Sequence, residues 1–267
     1  MSPSLRRLDG RVAAVTGAGG EIGRGICSEL AREGASIAAL DLDGKAARET
    51  MHAVVRQFKV KATAIRMDVT LGRSIKTAVK RITEELGATE ILVNNAGVLT
   101  LSPLLELPEK EWDFVMNVNA KGVFLCSKIF AGEMVRRKAK GSIVNISSIA
   151  GKVPLRDQVH YCASKAAVIA ITKVSALELA SHHIRVNAVC PGAVDTEMFS
   201  GVVEDVAKKE GRQRNAVVRG ILANIGIRRL IEPEEVGRVV AFLCSDEAAV
   251  ISGQAINADG GNFTVNY

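Results

Sequence analysis

Apolar and polar positions alternate in blocks along almost the whole chain. Seven apolar runs, at 12–16, 36–41, 62–66, 91–94, 142–147, 184–189 and 255–258, are each four to six residues long. Runs this short, apolar on both faces, predict buried parallel strands. Between them, amphipathic stretches at 22–33, 46–58, 72–86, 108–137, 159–181 and 233–244 predict helices, the fourth with Pro108 in its first turn. Strand and helix alternate, so every crossover can be right-handed. The expected fold is α/β: a doubly wound Rossmann-type parallel sheet of about seven strands with helices on both faces. No second core, no linker rich in Pro, Gly or Ser and no internal repeat breaks the pattern. Residues 1–267 are therefore expected to form one domain.

Composition narrows the class. Apolar residues make up 48% of the 267 but aromatics only 4%, so the core must be aliphatic. No apolar run approaches the roughly 20 residues that span a bilayer. Residues 1–10 include Arg6 and Arg7 but no apolar segment of a secretory signal. Five cysteines, an odd number with no C-x-x-C pair, read as free thiols of a reducing compartment, and a cytoplasmic setting is expected. The net charge is +6, but the 35 basic residues are scattered among 29 acidic ones with no stripe interleaved with aromatics. Neither a nucleic-acid nor a membrane partner is expected. No H-E-x-x-H or cysteine cluster supplies metal ligands.

Candidate chemistry begins at the turn Thr16-Gly17-Ala18-Gly19-Gly20-Glu21-Ile22-Gly23, between the first strand and the first helix. A pyrophosphate needs free backbone N–H groups, a helix N-terminus and no side chains in the way. The same glycines also suit a plain tight turn. Asp41 closes the second strand, near the ~20-residue interval after the glycines at which an acid binds the adenosine ribose. A carboxylate there accepts from the ribose hydroxyls of NAD and repels the 2′-phosphate of NADP, so NAD is the expected cofactor. Asp41-Leu42-Asp43-Gly44 also reads as a turn.

Tyr161 and Lys165 are four apart in a predicted helix and share a face. Hydride transfer to a ketone leaves an alkoxide that must collect a proton, and oxidation of an alcohol must remove one. Tyrosine, with a free pKa of ~10, needs about 4 kcal/mol of help to serve near neutrality. A cation about 4 Å away at an effective dielectric of ~20 supplies about that much, so Lys165 is expected to lower the tyrosine pKa. A Tyr-x-x-x-Lys pair also arises by chance on solvated faces. The predicted strand 142–147 runs out into Ser147 and Ser148, at the end of the sheet where ligands bind. Either serine could hold a substrate oxygen, or both could be turn residues.

With these pieces assembled, the chain resembles the short-chain dehydrogenase/reductase family in its short single-domain branch. The matching residues fall in family order over nearly the whole length: Thr16-Gly17…Gly23, Asp68-Val69, Asn94-Asn95-Ala96-Gly97, Asn119 after Trp112, Ser148, Tyr161-x-x-x-Lys165, Pro191-Gly192 and Asp259-Gly260-Gly261. The resemblance implies a catalytic tetrad of Asn119, Ser148, Tyr161 and Lys165. Ser148 would orient the carbonyl, Tyr161 would be the general acid or base, and Asn119 would hold a water of the proton relay. Lys165 would also hold the nicotinamide ribose. The resemblance further implies that the cofactor meets Gly17, Ile22, Gly23 and Asp41, then Asp68 and Val69 at the adenine. Asn95, Ala96 and Gly97 would lie along it, and Pro191, Gly192, Val194 and Thr196 at the nicotinamide. The activity implied is interconversion of a secondary alcohol or polyol and its ketone. Reduction of 3-oxoacyl thioesters and a non-catalytic NAD-binding role are the alternatives. One departure is Glu21, where the family usually has glycine. Its carboxylate either faces the pyrophosphate or, as preferred here, points to solvent at the first helical turn, where it suits the helix dipole.

Residues outside this set are read as bland. His160, beside Tyr161, is expected at the surface, and Cys162 and Cys190 as packing residues. A homo-oligomer, a tetramer, is expected from the resemblance, with Phe124, Phe130 and Ile169 offering apolar helix faces. Residues 195–227 are long for a strand–helix connection and are expected to form a mobile substrate lid opening with Glu197-Met198-Phe199. Lys208, Lys209, Arg212, Arg214 and Arg219 in that segment either steer an anionic substrate or simply solvate a helix face.

Overall fold

A computed structural model describes residues 6–262, so the first and last five residues of the expected domain lie outside the described residues. Each short apolar run forms a strand: β1 (Val12–Thr16), β2 (Ser36–Asp41), β3 (Ala62–Arg66), β4 (Ile91–Asn94), β5 (Gly141–Ile146), β6 (Ile184–Pro191) and β7 (Ala255–Ala258). They build one sheet of order β3-β2-β1-β4-β5-β6-β7. Every neighbouring pair is parallel. The helices are α1 (Glu21–Arg32), α2 (Gly44–Phe58), α3 (Gly72–Glu85), α4 (Glu109–Met116), α5 (Gly122–Arg136), α6 (Val159–Leu179), α7 (Glu197–Glu210), α8 (Arg214–Ala223) and α9 (Pro233–Cys244).

Side chains alternate across a strand, so a run apolar at every position feeds two cores. Ala13 and Val15 of β1 join one with Ile26 and Leu30 of α1 and Val236 and Val240 of α9. Val12 and Ala14 join the other with Ile75 and Ile82 of α3 and Phe130 and Met134 of α5. The sheet is thus covered on both faces, as its parallel order requires. Strand order reverses between β1 and β4, and the crevice beyond the strand ends there is where such sheets take ligands. A buried polar ladder aligns α6 with the sheet. Asn94 Nδ2 donates to Asn145 Oδ1 at 2.8 Å, and Asn145 Nδ2 donates to Thr172 Oγ1 at 2.9 Å.

Several boundaries differ from expectation. The predicted helix 108–137 is broken into α4, a π turn at Asn117–Lys121, and α5. Pro108 precedes it as an extended N-cap and does not stand in the first turn. β6 continues to Pro191, which pairs with Ala258 of the edge strand β7. α6 ends at Leu179 in a 3-10 turn, Ala180–His182. Phe130, expected on an open face, is buried in the core at 1% exposure, whereas Phe124 is 47% exposed.

Candidate active site

Two adjoining clefts open beyond the carboxyl ends of the strands. The first is built on the β1–α1 turn. Gly17 has φ +63°, and a Cβ there would stand 2.8 Å from the Ala96 Cα. A Cβ on Gly23 would stand 2.1 Å from the Gly17 carbonyl oxygen, so the turn closes only on glycine. Thr16 locks it to β4, its Oγ1 accepting from the N–H groups of Asn95 and Ala96 at 3.0 Å. No side chain caps the N-terminus of α1, and Gly17, Gly20 and Ile22 bring that terminus to the cleft wall. Asp41 stands beside it, Oδ2 accepting from Gly19 N–H at 2.8 Å and Oδ1 from Asp43 N–H at 2.9 Å. Asp68, Val69, Asn95, Ala96 and Gly97 complete the opposite wall. A glycine cradle at a helix N-terminus, with a carboxylate at the end of the next strand, fits a dinucleotide.

The second cleft holds Tyr161, Lys165 and Ser148 together with Pro191, Gly192 and Val194. Ile22, Asn95, Gly97, Thr196 and Met198 line both clefts, so the two are continuous. The two serines after β5 divide their work. Ser147 is buried and its hydroxyl donates to the Lys165 carbonyl at 2.8 Å. Ser148 is half-buried, accepts from Ala150 N–H at 3.1 Å and hydrogen-bonds the Tyr161 hydroxyl. Lys165, 5% exposed, donates its Nζ to the Ile146 carbonyl at 3.0 Å and lies 5.5 Å from the centre of the Tyr161 ring.

Burial governs the protonation of both groups. It pushes the Tyr161 phenol up to about 12, opposed by the Ser148 hydrogen bond, and pushes Lys165 down to about 8. The expected depression of the tyrosine by Lys165 is not among the causes of its shift; desolvation raises the phenol, because its charged form loses water.

Asn119 lines neither cleft. It is sealed beneath them at 0% exposure, on the π turn. Its Oδ1 accepts from Val98 N–H at 2.8 Å, and its Nδ2 donates to the Val98 carbonyl at 2.9 Å and to Ser164 Oγ at 3.1 Å. The widened turn lets one amide clamp the loop after β4 to α6, and π turns of this kind concentrate at functional sites. The residue signalled itself in sequence by poor helix propensity; its partner Ser164 gave no signal beyond lying on the face of Tyr161. His160 is not at the surface but at 0% exposure, hydrogen-bonded to Thr100 Oγ1 at 2.7 Å.

Residues 195–227 hold α7 and α8. Thr196 caps α7, accepting from Phe199 N–H at 3.1 Å. Met198, Phe199 and Val202 of α7, Ile221 of α8, and Ile149 and Leu155 give the second cleft an apolar lining that sequence reasoning largely missed. The basic residues stand elsewhere. Lys209 pairs with Asp157, Arg212 with Glu210, and Arg214 donates to Ser200, while among the described residues Lys165 is the one charged side chain in the lining. Glu21 lines the first cleft, as the reading that turned it toward the pyrophosphate has it, and also makes a contact neither reading offered: its Oε1 accepts from the Glu197 N–H of α7 at 2.8 Å.

Comparison with known proteins agrees with this geometry. A family model described as enoyl-(acyl carrier protein) reductase matches residues 17–262. A 3-oxoacyl-[acyl-carrier-protein] reductase FabG of Thermotoga maritima is 37% identical, over 96% of this chain and 98% of its own. A (3R)-3-hydroxyacyl-CoA dehydrogenase of Rattus norvegicus is 39% identical, over 97% and 99%. The crystal structure of an NAD+-bound xylitol dehydrogenase superposes with a TM-score of 0.90 at 32% identity, covering 96% of this chain and all of that one.

Proposed function

The chain belongs to the short-chain dehydrogenase/reductase family, oxidoreductases that act on CH–OH groups with a nicotinamide cofactor, and from that premise we propose that it interconverts a secondary alcohol carrying an apolar chain and its ketone, with NAD(H) preferred. The observation that carries this reading is the convergence of Tyr161, Ser148 and Lys165 in an apolar cleft continuous with the glycine cradle. When bound, the dinucleotide accepts or gives the hydride. Ser148 orients the substrate oxygen and stabilises charge on it. Tyr161 passes the proton at its hydroxyl, held as phenol by burial when it must donate. The Lys165 ammonium favours the phenolate when the hydroxyl must accept, and Asn119 keeps the loop after β4 and α6 in register from below. Gly17, Ile22, Gly23 and Asp41 hold the adenosine and pyrophosphate half with Asp68 and Val69. Pro191, Gly192, Val194 and Thr196 hold the nicotinamide half. Residues 195–227 serve as the substrate cover.

The apolar lining favours an aliphatic substrate over a polyol, and it also supports a 3-hydroxyacyl thioester, the chemistry in the names of the bacterial and rat relatives. Asp41 argues for NAD(H) in either case. Helix faces carrying Phe114, Phe124, Val174 and Leu177 are exposed and support a homo-oligomer. Four of the five free cysteines are buried, and no helix among the described residues is long and apolar enough to cross a membrane.

The test is NADH formation on aliphatic 2-alkanols, a 3-hydroxyacyl-CoA and xylitol. Turnover with an apolar-chain substrate should exceed that with xylitol by about tenfold or more, the worth of burying one or two side-chain equivalents. NADP+ should be about tenfold or more poorer than NAD+, and Asp41→Ala should narrow that gap. Faster turnover of xylitol, or with NADP+, would refute the corresponding half of the reading.

A further inference from the structure

A helix begins with N–H groups that have no partner within it. In α7, one of these is met locally by Thr196, its own N-cap, and another, that of Glu197, by the carboxylate of Glu21 from 176 residues away. Glu21 is itself the first residue of α1, so a single carboxylate stands at two positive helix ends. Glycine at this position would have no side chain to do so.

The place of the contact matters more than its strength. Ile22 on one side and Thr196 and Met198 on the other line both clefts, so the Glu21–Glu197 bond joins the two walls where the clefts meet. Glu197 is exposed, which sets the bond at the solvent edge of that junction. The far end of α7 is tied separately, by Lys209 to Asp157 in the segment leading to Tyr161. Between these ties α7 buries only Val203, so little else in the helix itself holds it down.

We infer that Glu21 is a positioning residue: it latches the start of α7 across the junction of the two clefts and thereby sets how fast the dinucleotide leaves. The inference rests on the dinucleotide reading of the first cleft. A dinucleotide lying in both clefts is crossed by the latch, which must open for it to depart. The bond needs an acceptor oxygen at residue 21 and a donor N–H at residue 197, and each can be removed alone.

The experiment is stopped-flow measurement of NADH dissociation from the intact protein, followed by nucleotide fluorescence, with thermal melts as a check on folding. Glu21→Ala should raise the dissociation rate about tenfold, the size one charge-assisted hydrogen bond can carry. Glu197→Pro removes the donor N–H, together with the exposed Glu197 side chain that takes no part in the latch, at the first helical position where proline is tolerated and after an extended Thr196. It should raise the rate by a similar factor. Glu21→Gln keeps an acceptor oxygen and should restore the rate to within about threefold of the unaltered protein. Rates within about twofold of the unaltered protein in both Glu21→Ala and Glu197→Pro would overturn the latch. So would Glu21→Gln releasing NADH as fast as Glu21→Ala, which would assign the effect to charge alone. Failure of the unaltered protein to bind NADH would instead overturn the dinucleotide reading, and the latch with it.

Discussion

The floor and the cover of the second cleft are built on opposite principles. The floor stands on α6, which buries His160, Ser164, Lys165, Val168, Thr172 and Ala176, and is laced to the sheet by Ser147, Asn119 and the Asn94–Asn145–Thr172 ladder. The cover, α7 and α8, buries one side chain per helix, Val203 and Val217, is tied to the rest by Glu21 and Asp157, and is joined within itself by Arg214 to Ser200. Proton transfer tolerates little misplacement, so its groups sit where every rotamer is fixed by packing. Segments that admit and select substrate come from the weakly held end of a structure. The difference implies that changes in the floor act on the chemical step and changes in the cover on substrate capture.

The sharpest test lies in the floor. Tyr161→Phe should cut kcat by about a thousandfold, within the range for a lost general acid or base, while NADH affinity stays within about threefold. Because burial holds Tyr161 as a phenol through the neutral range, alcohol oxidation, which needs the phenolate, should quicken as pH rises from about 6 to 8, and the gain should flatten above that as Lys165, pushed down to about 8, loses the ammonium that favours the phenolate. Ketone reduction needs the phenol and should show no such gain. Appreciable turnover by the Tyr161→Phe protein would break the mechanism.

A smaller effect is expected in the cover. Phe199→Ala and Ile221→Ala each shorten the apolar lining and should raise KM for an apolar-chain substrate about tenfold while kcat stays within about twofold. A matching fall in kcat would mean that the cover also positions the reacting groups, and the contrast with the floor would dissolve.

The smallest effect concerns charge. The basic residues of α7 and α8 are paired with neighbours or stand outside the lining, so they read as a solvated helix face and not as an anion funnel. Raising salt from about 0.05 to 0.5 M should change kcat/KM for an apolar-chain substrate less than twofold, and Arg214→Ala should do no more. A steep fall with salt would restore the steering reading.

What the sequence determined by itself was whatever depends on neighbours in the chain. The bounds of β1, β2, β3, β4 and β7 follow from apolar period and length, and the sheet from their alternation with helices. The glycine turn, Asp41 at a strand end and Tyr161 with Lys165 on one helix face follow from local spacing. Tertiary structure decided what depends on partners far along the chain. Phe130 faces the core, the π turn opens so that Asn119 can reach Val98 and Ser164, Ser147 turns inward while Ser148 faces the cleft, and burial sets the protonation of Tyr161 and Lys165. Glu21 shows the physical reason most clearly. Its local context offers water and a helix dipole, both satisfied at almost no cost, and only the folded chain brings the Glu197 N–H within 2.8 Å of its carboxylate.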